Sequence, residues 1–146
     1  MAHWIGVVGS KEGVDRLRAN DETWWCAPKA ATAGEQIAIY VAKNRIPKLS
    51  EDEAGVTAIF EIIGPEPARQ ADCRQFGGGF GRPIAVPVKI AVRKRFPKSL
   101  RLAEMRDDAM LSQATFVKRS FQGTIFPASQ SQFSRITELL SLKQQR

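Results

Sequence analysis

Histidine and tyrosine each occur once, and cysteine twice, in the 146 residues of this chain. A four-ligand zinc site of the usual Cys/His kind cannot be assembled from that set, so no metal and no cofactor are expected. Two cysteines cannot make the disulfide framework on which many small secreted domains depend. No apolar run approaches the roughly 20 residues that span a bilayer. The opening MAHWIGVVGSKE has neither a basic flank nor a small-residue cleavage site. The expectation is a cytoplasmic protein with no membrane partner. Internal repeats, low-complexity tracts and long linkers are also missing, so residues 1–146 read as one domain. Hydrophobic residues at 43% and charged residues at 25% are the balance of an ordinary globular chain, which excludes wholesale disorder.

The charge that is present is unevenly placed. Net charge is +7, yet residues 1–73 hold 8 Lys and Arg against 11 Asp and Glu, while residues 74–146 hold 14 against 4. A basic half of this size points to a polyanionic partner, nucleic acid first, because phosphate contacts supply most non-specific binding energy. The plainer reading is a solubilising surface. Between Lys89 and Arg101 lie six basic and no acidic residues (KIAVRKRFPKSLR), with Phe96 interleaved. That run makes Arg93, Lys94, Arg95, Lys98 and Arg101 candidate phosphate contacts. Its plainer reading is a basic edge strand protected from aggregation.

Local signals divide the chain as follows. HWIGVV (3–8) is apolar and β-branched enough for a first strand, after which Ser10 can cap a short helix over Lys11–Arg18 with Val14 and Leu17 facing inward. A turn over 30–36 leads to a strand at Ile37–Ala42, and the polar stretch 43–54 reads as a loop. GVTAIFEIIG (55–64) is the clearest strand. Residues 65–82, with Phe76-Gly-Gly-Gly-Phe80-Gly, read as an exposed loop, and Ile84–Arg93 as a strand whose Pro87 argues for an edge or a bulge. Ser99 looks like the cap of a helix reaching Asp108, Phe116–Phe126 a short strand pair, and Ser129 the cap of a last helix. Strands mostly follow strands, which favours a mixed or antiparallel, barrel-like α+β fold.

Catalytic constellations are thin. A nucleophile would have to be Cys26 or a serine served by His3, with nothing to orient the histidine. A small buried cysteine is the plainer reading of Cys26. Glu51, Asp52 and Glu53 read as solvated loop residues, and Glu61 as an outward-facing strand carboxylate. The triglycine at 77–79 lacks the Lys-Ser/Thr ending of a P-loop. The aromatic signal is stronger. Trp4, Trp24, Trp25 and Tyr40 fall within the first forty residues, and adjacent Trp24 and Trp25 on an extended segment must point to opposite faces. One can enter the core while the other offers a platform for a planar base. Trp25, adjoining Cys26-Ala27-Pro28, is taken as the platform. Both tryptophans as core packing is the competing reading.

The ordered set HWIGVVGS, WWCAP, AGEQIAIYVAK, GVTAIFEIIGPEP, LRLAEMRDDAML and FVKRSFQGTIFPASQSQFSRITELL resembles EVE domains, members of the PUA-like superfamily related to YTH domains. The resemblance implies a PUA-like twisted mixed β-barrel with flanking helices and a concave pocket for a base flipped out of DNA or RNA. It implies a non-catalytic reader of a modified base, such as methylated cytosine or adenine, acting with an effector protein encoded nearby. By matching positions, Gly9 and Ser10 form the pocket floor. Trp24 or Trp25 stacks, Cys26, Ala27 and Pro28 form the next wall, and Arg119, Phe121 and Gln122 approach from the opposite side. Tyr40 belongs to the same base pocket. The Gly-rich loop at 76–81 is an elaboration on the resemblance. The alternative function is a small hydrolase or nuclease of the wider superfamily acting on a nucleoside or RNA. It would draw on Glu61, Lys29, Cys26 and His3, which show no recognisable spacing. A plain protein-interaction module stands third.

Overall fold

The structure, a computed structural model, describes residues 1–73 and 85–146. Its order is β1 (His3–Val8), α1 (Lys11–Ala19), β2 (Glu22–Ala27), β3 (Gln36–Val41), β4 (Gly55–Pro65), α2 (Gln70–Cys73), β5 (Val86–Leu100), α3 (Leu102–Arg106), α4 (Thr115–Lys118), β6 (Ile125–Ala128) and α5 (Gln130–Gln144). The strands form one curled, six-stranded sheet in the order β2-β5-β4-β3-β1-β6. β1 pairs with β3 in parallel and every other pair is antiparallel, giving a mixed half-barrel with flanking helices.

Alternation explains why the central strands are apolar on both faces. In β3, Ala38 and Tyr40 enter a core shared with α4 and α5, whereas Ile37, Ile39 and Val41 enter a second core shared with α1 and β2. β1 divides likewise, with Ile5 and Val7 on one face and Trp4 and Val8 on the other. α1 is capped as its sequence implies, Gly13 N donating to Ser10 Oγ at 3.1 Å, and it buries Val14 and Leu17. α5 starts at a capping box, Gln132 N donating to Ser129 Oγ at 3.0 Å and Ser129 N to Gln132 Oε1 at 2.9 Å.

The extended Trp-bearing segment is a full strand, β2, paired with β5. Three expectations are corrected. β5 runs on to Leu100 and lies between β2 and β4, so its basic run is not an edge strand; Pro87 is tolerated because it is the strand's second residue. Ser99 does not cap a helix. It lies within β5 with its hydroxyl donating to the carbonyls of Asp52 and Ala54, and the helix begins after Arg101, whose N–H donates to Glu104 Oε1 at 3.0 Å. Residues 116–126 are not a strand pair: Phe116 and Val117 bury themselves from a short helix, and only Ile125–Ala128 is a strand, zipped to β1. The Gly-rich loop at 76–81, with its stacking candidates Phe76 and Phe80, and the expected strand start at Ile84 lie outside the described residues.

Gly55 sets the start of β4. Its φ is +103°, and a Cβ there would meet the Leu100 carbonyl oxygen at 2.2 Å, so no side chain fits. At the other end of the sheet, Glu35 is buried as a carboxylate. Burial works to raise its pKa, but donors from Trp4 Nε1 at 3.0 Å, Thr32 N at 2.8 Å and Ala2 N at 2.9 Å outweigh it and hold the group below the usual range. A depressed carboxyl contributes stability that is present above its unfolded pKa and lost as pH falls through the folded one. Melting temperature is therefore expected to drop below about pH 4. Glu35→Gln should flatten that drop; a wild-type curve unchanged by the substitution removes Glu35 as its source.

Candidate functional site

The end of β1 turns into α1 at Gly9-Ser10, and the curl of the sheet sets β2 across from that turn. Between them lies a cleft of about 520 Å³. Its walls are the β1 end (Val7–Gly9), the capped start of α1 (Ser10, Glu12, Gly13, Arg16), Trp24, Trp25 and Cys26 of β2, Arg45, Asp72 and Thr124. Two smaller hollows, of about 280 and 370 Å³, are walled by ion-paired Arg18, Glu53 and Arg95 or by mainly apolar residues. The larger cleft alone of the three combines tryptophans with cations.

β2 places its two tryptophans on opposite faces, as alternation requires. Trp25, only 6% exposed, joins Ala27 in the core with Val14, Leu17 and Ile37. Trp24 is half-buried and packs with Cys26 and Cys73. The Arg16 guanidinium lies over the Trp24 ring at 3.9 Å from its centroid, and that of Arg69 at 5.3 Å. Burial holds the Arg16 pKa below its usual value, with Arg69 adding to the effect against Glu12 and Asp72. Two N–H donors of the cleft residues, Trp25 Nε1 and Arg16 Nε, are buried without an acceptor.

This arrangement reverses the choice of Trp25 as the exposed platform: Trp25 is core, and Trp24 carries the accessible aromatic surface. Cys26 is not a free thiol either. It is bonded to Cys73, which ties α2 to β2 beside the cleft. Of the residues assigned to the base pocket, Gly9, Ser10, Trp24, Trp25 and Cys26 are brought together. Ala27 is wholly buried behind β2, and Pro28, just beyond the strand, does not line the cleft. Tyr40 and Phe121 stack on each other at 3.6 Å in the core under α4 and α5, away from the cleft surface. Burial raises the Tyr40 pKa against Arg106 and Arg45. Arg119 and Gln122 are exposed on the turn that follows α4. That turn takes an unusual path, with φ of 54° and 55° at Ser120 and Phe121. Arg45 holds it to the cleft, donating to the carbonyls of Gly123 at 3.3 Å and Phe121 at 3.5 Å.

The basic run of β5 is largely paired within the molecule. Arg93 clamps Glu61 with two bonds of 3.1 and 2.7 Å, so Glu61 faces outward as expected. Arg95 pairs with Asp21 at 2.8 Å and Arg101 with Asp52 at 2.7 Å. Lys98 reaches the Arg146 carbonyl, and Lys94 lies 5.3 Å from the ring centroid of buried Phe96. Sequence reasoning missed Arg16, Arg45 and Thr124. Arg16 had a signal, since it stands one helical turn after Glu12 on the face that begins at the Ser10 cap. Arg45 and Thr124 had none.

The EVE domain model matches residues 2–139. The chain belongs to the EVE domain family. No curated protein matches this EVE domain in sequence. Among solved structures, a hypothetical protein from Leishmania major superposes with a TM-score of 0.69 at 16% identity, covering 100% of this chain and 98% of that one. Human THYN1, solved in complex with DNA containing 5-methylcytosine, gives 0.65 at 16% identity, covering 97% of each chain. The MmI1 YTH domain gives 0.55 at 9% identity, covering 98% and 97%. At these identities the likeness is one of fold. Among the described residues no helix of this EVE domain is long and apolar enough to cross a membrane.

Proposed function

We propose that the cleft receives a single methylated base turned out of a DNA or RNA strand, and that the protein binds without turnover. The observation that carries the reading is the gathering of Trp24, Trp25, Arg16 and Arg45 around one cleft of about 520 Å³, within the size range of ligand pockets. Aromatic surface takes the face of a base, polar groups take its edge, and guanidinium groups at the mouth take the flanking phosphates. Membership of the EVE family supports the reading, as does a fold shared with THYN1 in its methylcytosine complex.

Arg16 and Arg45 are the first phosphate contacts in this reading, with Arg69, itself 3.7 Å from Asp72, beside them, because three of the five cations assigned on β5 face carboxylates at 2.7–2.8 Å. Gly9 and Ser10 keep their place at the floor, and Arg119 and Gln122 form an outer rim. Binding is favoured over hydrolysis because three of the four groups weighed for acid–base work are engaged elsewhere, and the fourth, Lys29, is exposed and does not line the cleft. The His3 ring packs 4.7 Å from that of Phe133, Cys26 is bonded to Cys73, and Glu61 is held by Arg93.

The test is a titration with matched DNA and RNA oligonucleotides, with and without one methylated cytosine or adenine, over a range of salt. A modified strand is expected to bind more tightly. With three phosphates neutralised on a single strand, log K should fall with log salt at a slope of about −2. Arg45→Ala should weaken modified and unmodified strands alike. Affinity indifferent to both methylation and salt would remove the reading, and hydrolysis of a nucleoside or RNA would put the enzyme in its place.

A further inference from the structure

Both cysteines of the chain are joined in one bond, and that bond lies at the cleft rather than in either core. Cys26 of β2 lines the cleft, whereas Cys73, the last residue of α2, is wholly buried. With Ala85 they form a small cluster of their own, and Trp24 packs against it. The accessible tryptophan of the cleft is thus backed by a cluster whose centre is a disulfide. Two sulfurs and an alanine bury little apolar surface beside the many large side chains of either core.

The same bond holds α2 in place. A helix of four residues has no stability of its own. The turn before it is anchored, since Glu66 N donates to the Pro87 carbonyl at 3.0 Å. Beyond that turn, Asp72 forms part of the cleft wall and pairs with Arg69 at 3.7 Å, whose guanidinium lies 5.3 Å from the Trp24 ring centroid. Among the described residues no other covalent link and no ion pair joins Gln70–Cys73 to β2. Segments with few buried apolar contacts are the first to open when a constraint is removed. Cutting this bond therefore frees one wall of the cleft and the backing of Trp24, and leaves the two cores untouched.

We propose that the Cys26–Cys73 bond is a redox latch on the cleft. The oxidised protein holds α2 and the Trp24 ring in place for nucleic acid, and the reduced protein releases α2 and binds more weakly. This rests on the reading of the cleft as a base pocket and adds its regulation. The reductant is a pair of thiols, from a small thiol or a dithiol carrier. One thiolate attacks Cys26 Sγ, the sulfur on the cleft side, and the Cys73 sulfur leaves as a thiolate that takes up a proton. A second thiolate attacks the outer sulfur of the mixed disulfide, and Cys26 leaves and is protonated in turn. Two electrons and two protons reach the protein, and the two outer thiols end as a disulfide. The coupling is reciprocal: if the bond favours the strand, the strand must favour the bond by the same factor. A strand lying over Cys26 also stands in the path of the attacking thiolate.

The experiment titrates the intact chain, oxidised and then reduced by excess dithiothreitol, with one single-stranded oligonucleotide carrying a 5-methylcytosine. Kd is expected to rise about tenfold on reduction and to return on reoxidation. Cys73→Ala should bind as weakly as the reduced protein and ignore the reductant. With the strand at saturation, the midpoint potential of the bond should fall by about 30 mV for that tenfold difference. Because reduction also removes stability, amide exchange is followed on both forms at one temperature. Gln70–Cys73 and Trp24–Cys26 should lose protection, while β3 and α5 keep theirs. Equal affinity of the two forms, a wall whose protection is unchanged, or loss of protection in β3 and α5 along with the wall overturns the latch and leaves base binding standing. Failure of both forms to bind the strand overturns both.

Discussion

Trp25→Ala is expected to cost about 3–5 kcal/mol of stability, the range for a large aromatic side chain removed from a packed core. Trp25 is 6% exposed and packs between α1 and the sheet with Leu17, Val14 and Ile37, so the hole it leaves cannot be filled by a local shift. Trp24→Ala should behave differently. Its ring is half-buried, backed by the Cys26–Cys73 bond and covered by Arg16, and its loss should cost far less in stability. In the proposed function a base takes the place of the Arg16 guanidinium over the ring, and Trp24→Ala should instead remove about 1–3 kcal/mol of binding, the worth of one base stacked on an aromatic ring. Thermal melting and oligonucleotide titration of both variants make the comparison. Equal losses of stability with unchanged discrimination between methylated and plain strands would make both tryptophans packing residues. The base pocket would then have no aromatic platform.

Breaking the Cys26–Cys73 bond is expected to destabilise the protein by about 2–4 kcal/mol, since the two residues are 47 apart in sequence and the link closes a long loop in the unfolded chain. Cys73→Ala is the cleaner variant, because Cys26 lines the cleft and Cys73 is wholly buried behind it. Melting curves with and without reductant, read beside a free-thiol count, give the answer. Two free thiols with an unchanged melting temperature would show that the bond contributes no stability. The same pair of curves tells how firm the cleft wall would be in a reducing compartment, where such bonds seldom persist.

Much of the sheet was legible because its signals are local. β1, β3 and β4 are short apolar runs bounded by Gly, Pro or polar turns, and α1 and α5 announce themselves by serine caps that the structure uses. The failures share a cause, which is that tertiary pairing overrode local chemistry. Ser99 has the chemistry of a cap, but the carbonyls of Asp52 and Ala54 take its hydroxyl and the strand continues past it. Phe116 and Val117 look strand-like, yet one helical turn buries both against Tyr40 and the last helix. At the site, alternation along β2 gave opposite faces for Trp24 and Trp25 but not which face was core, because that depends on where α1 packs. The Cys26–Cys73 link has no signature at a spacing of 47. Arg45 reaches the cleft only because it bonds carbonyls near residue 122, distant in sequence.

The pairing of β1 with β6 carries a consequence for how the protein is made. His3 to Gly6 lie opposite Ile125 to Ala128, so β1 is completed only by a strand synthesised long after it. Until then one side of β1 is an open edge, able to pair with another chain. The parallel neighbour on its other side must also be brought in across α1 and β2. Contacts this distant along the chain close slowly, because loop entropy is lost before they form. The cleft borders the C-terminal end of β1 and includes Thr124, whose carbonyl accepts from Val7 N at 2.8 Å. A nascent chain therefore has no finished cleft until Thr124 and β6 have been made, and any partner that docks there must wait for them.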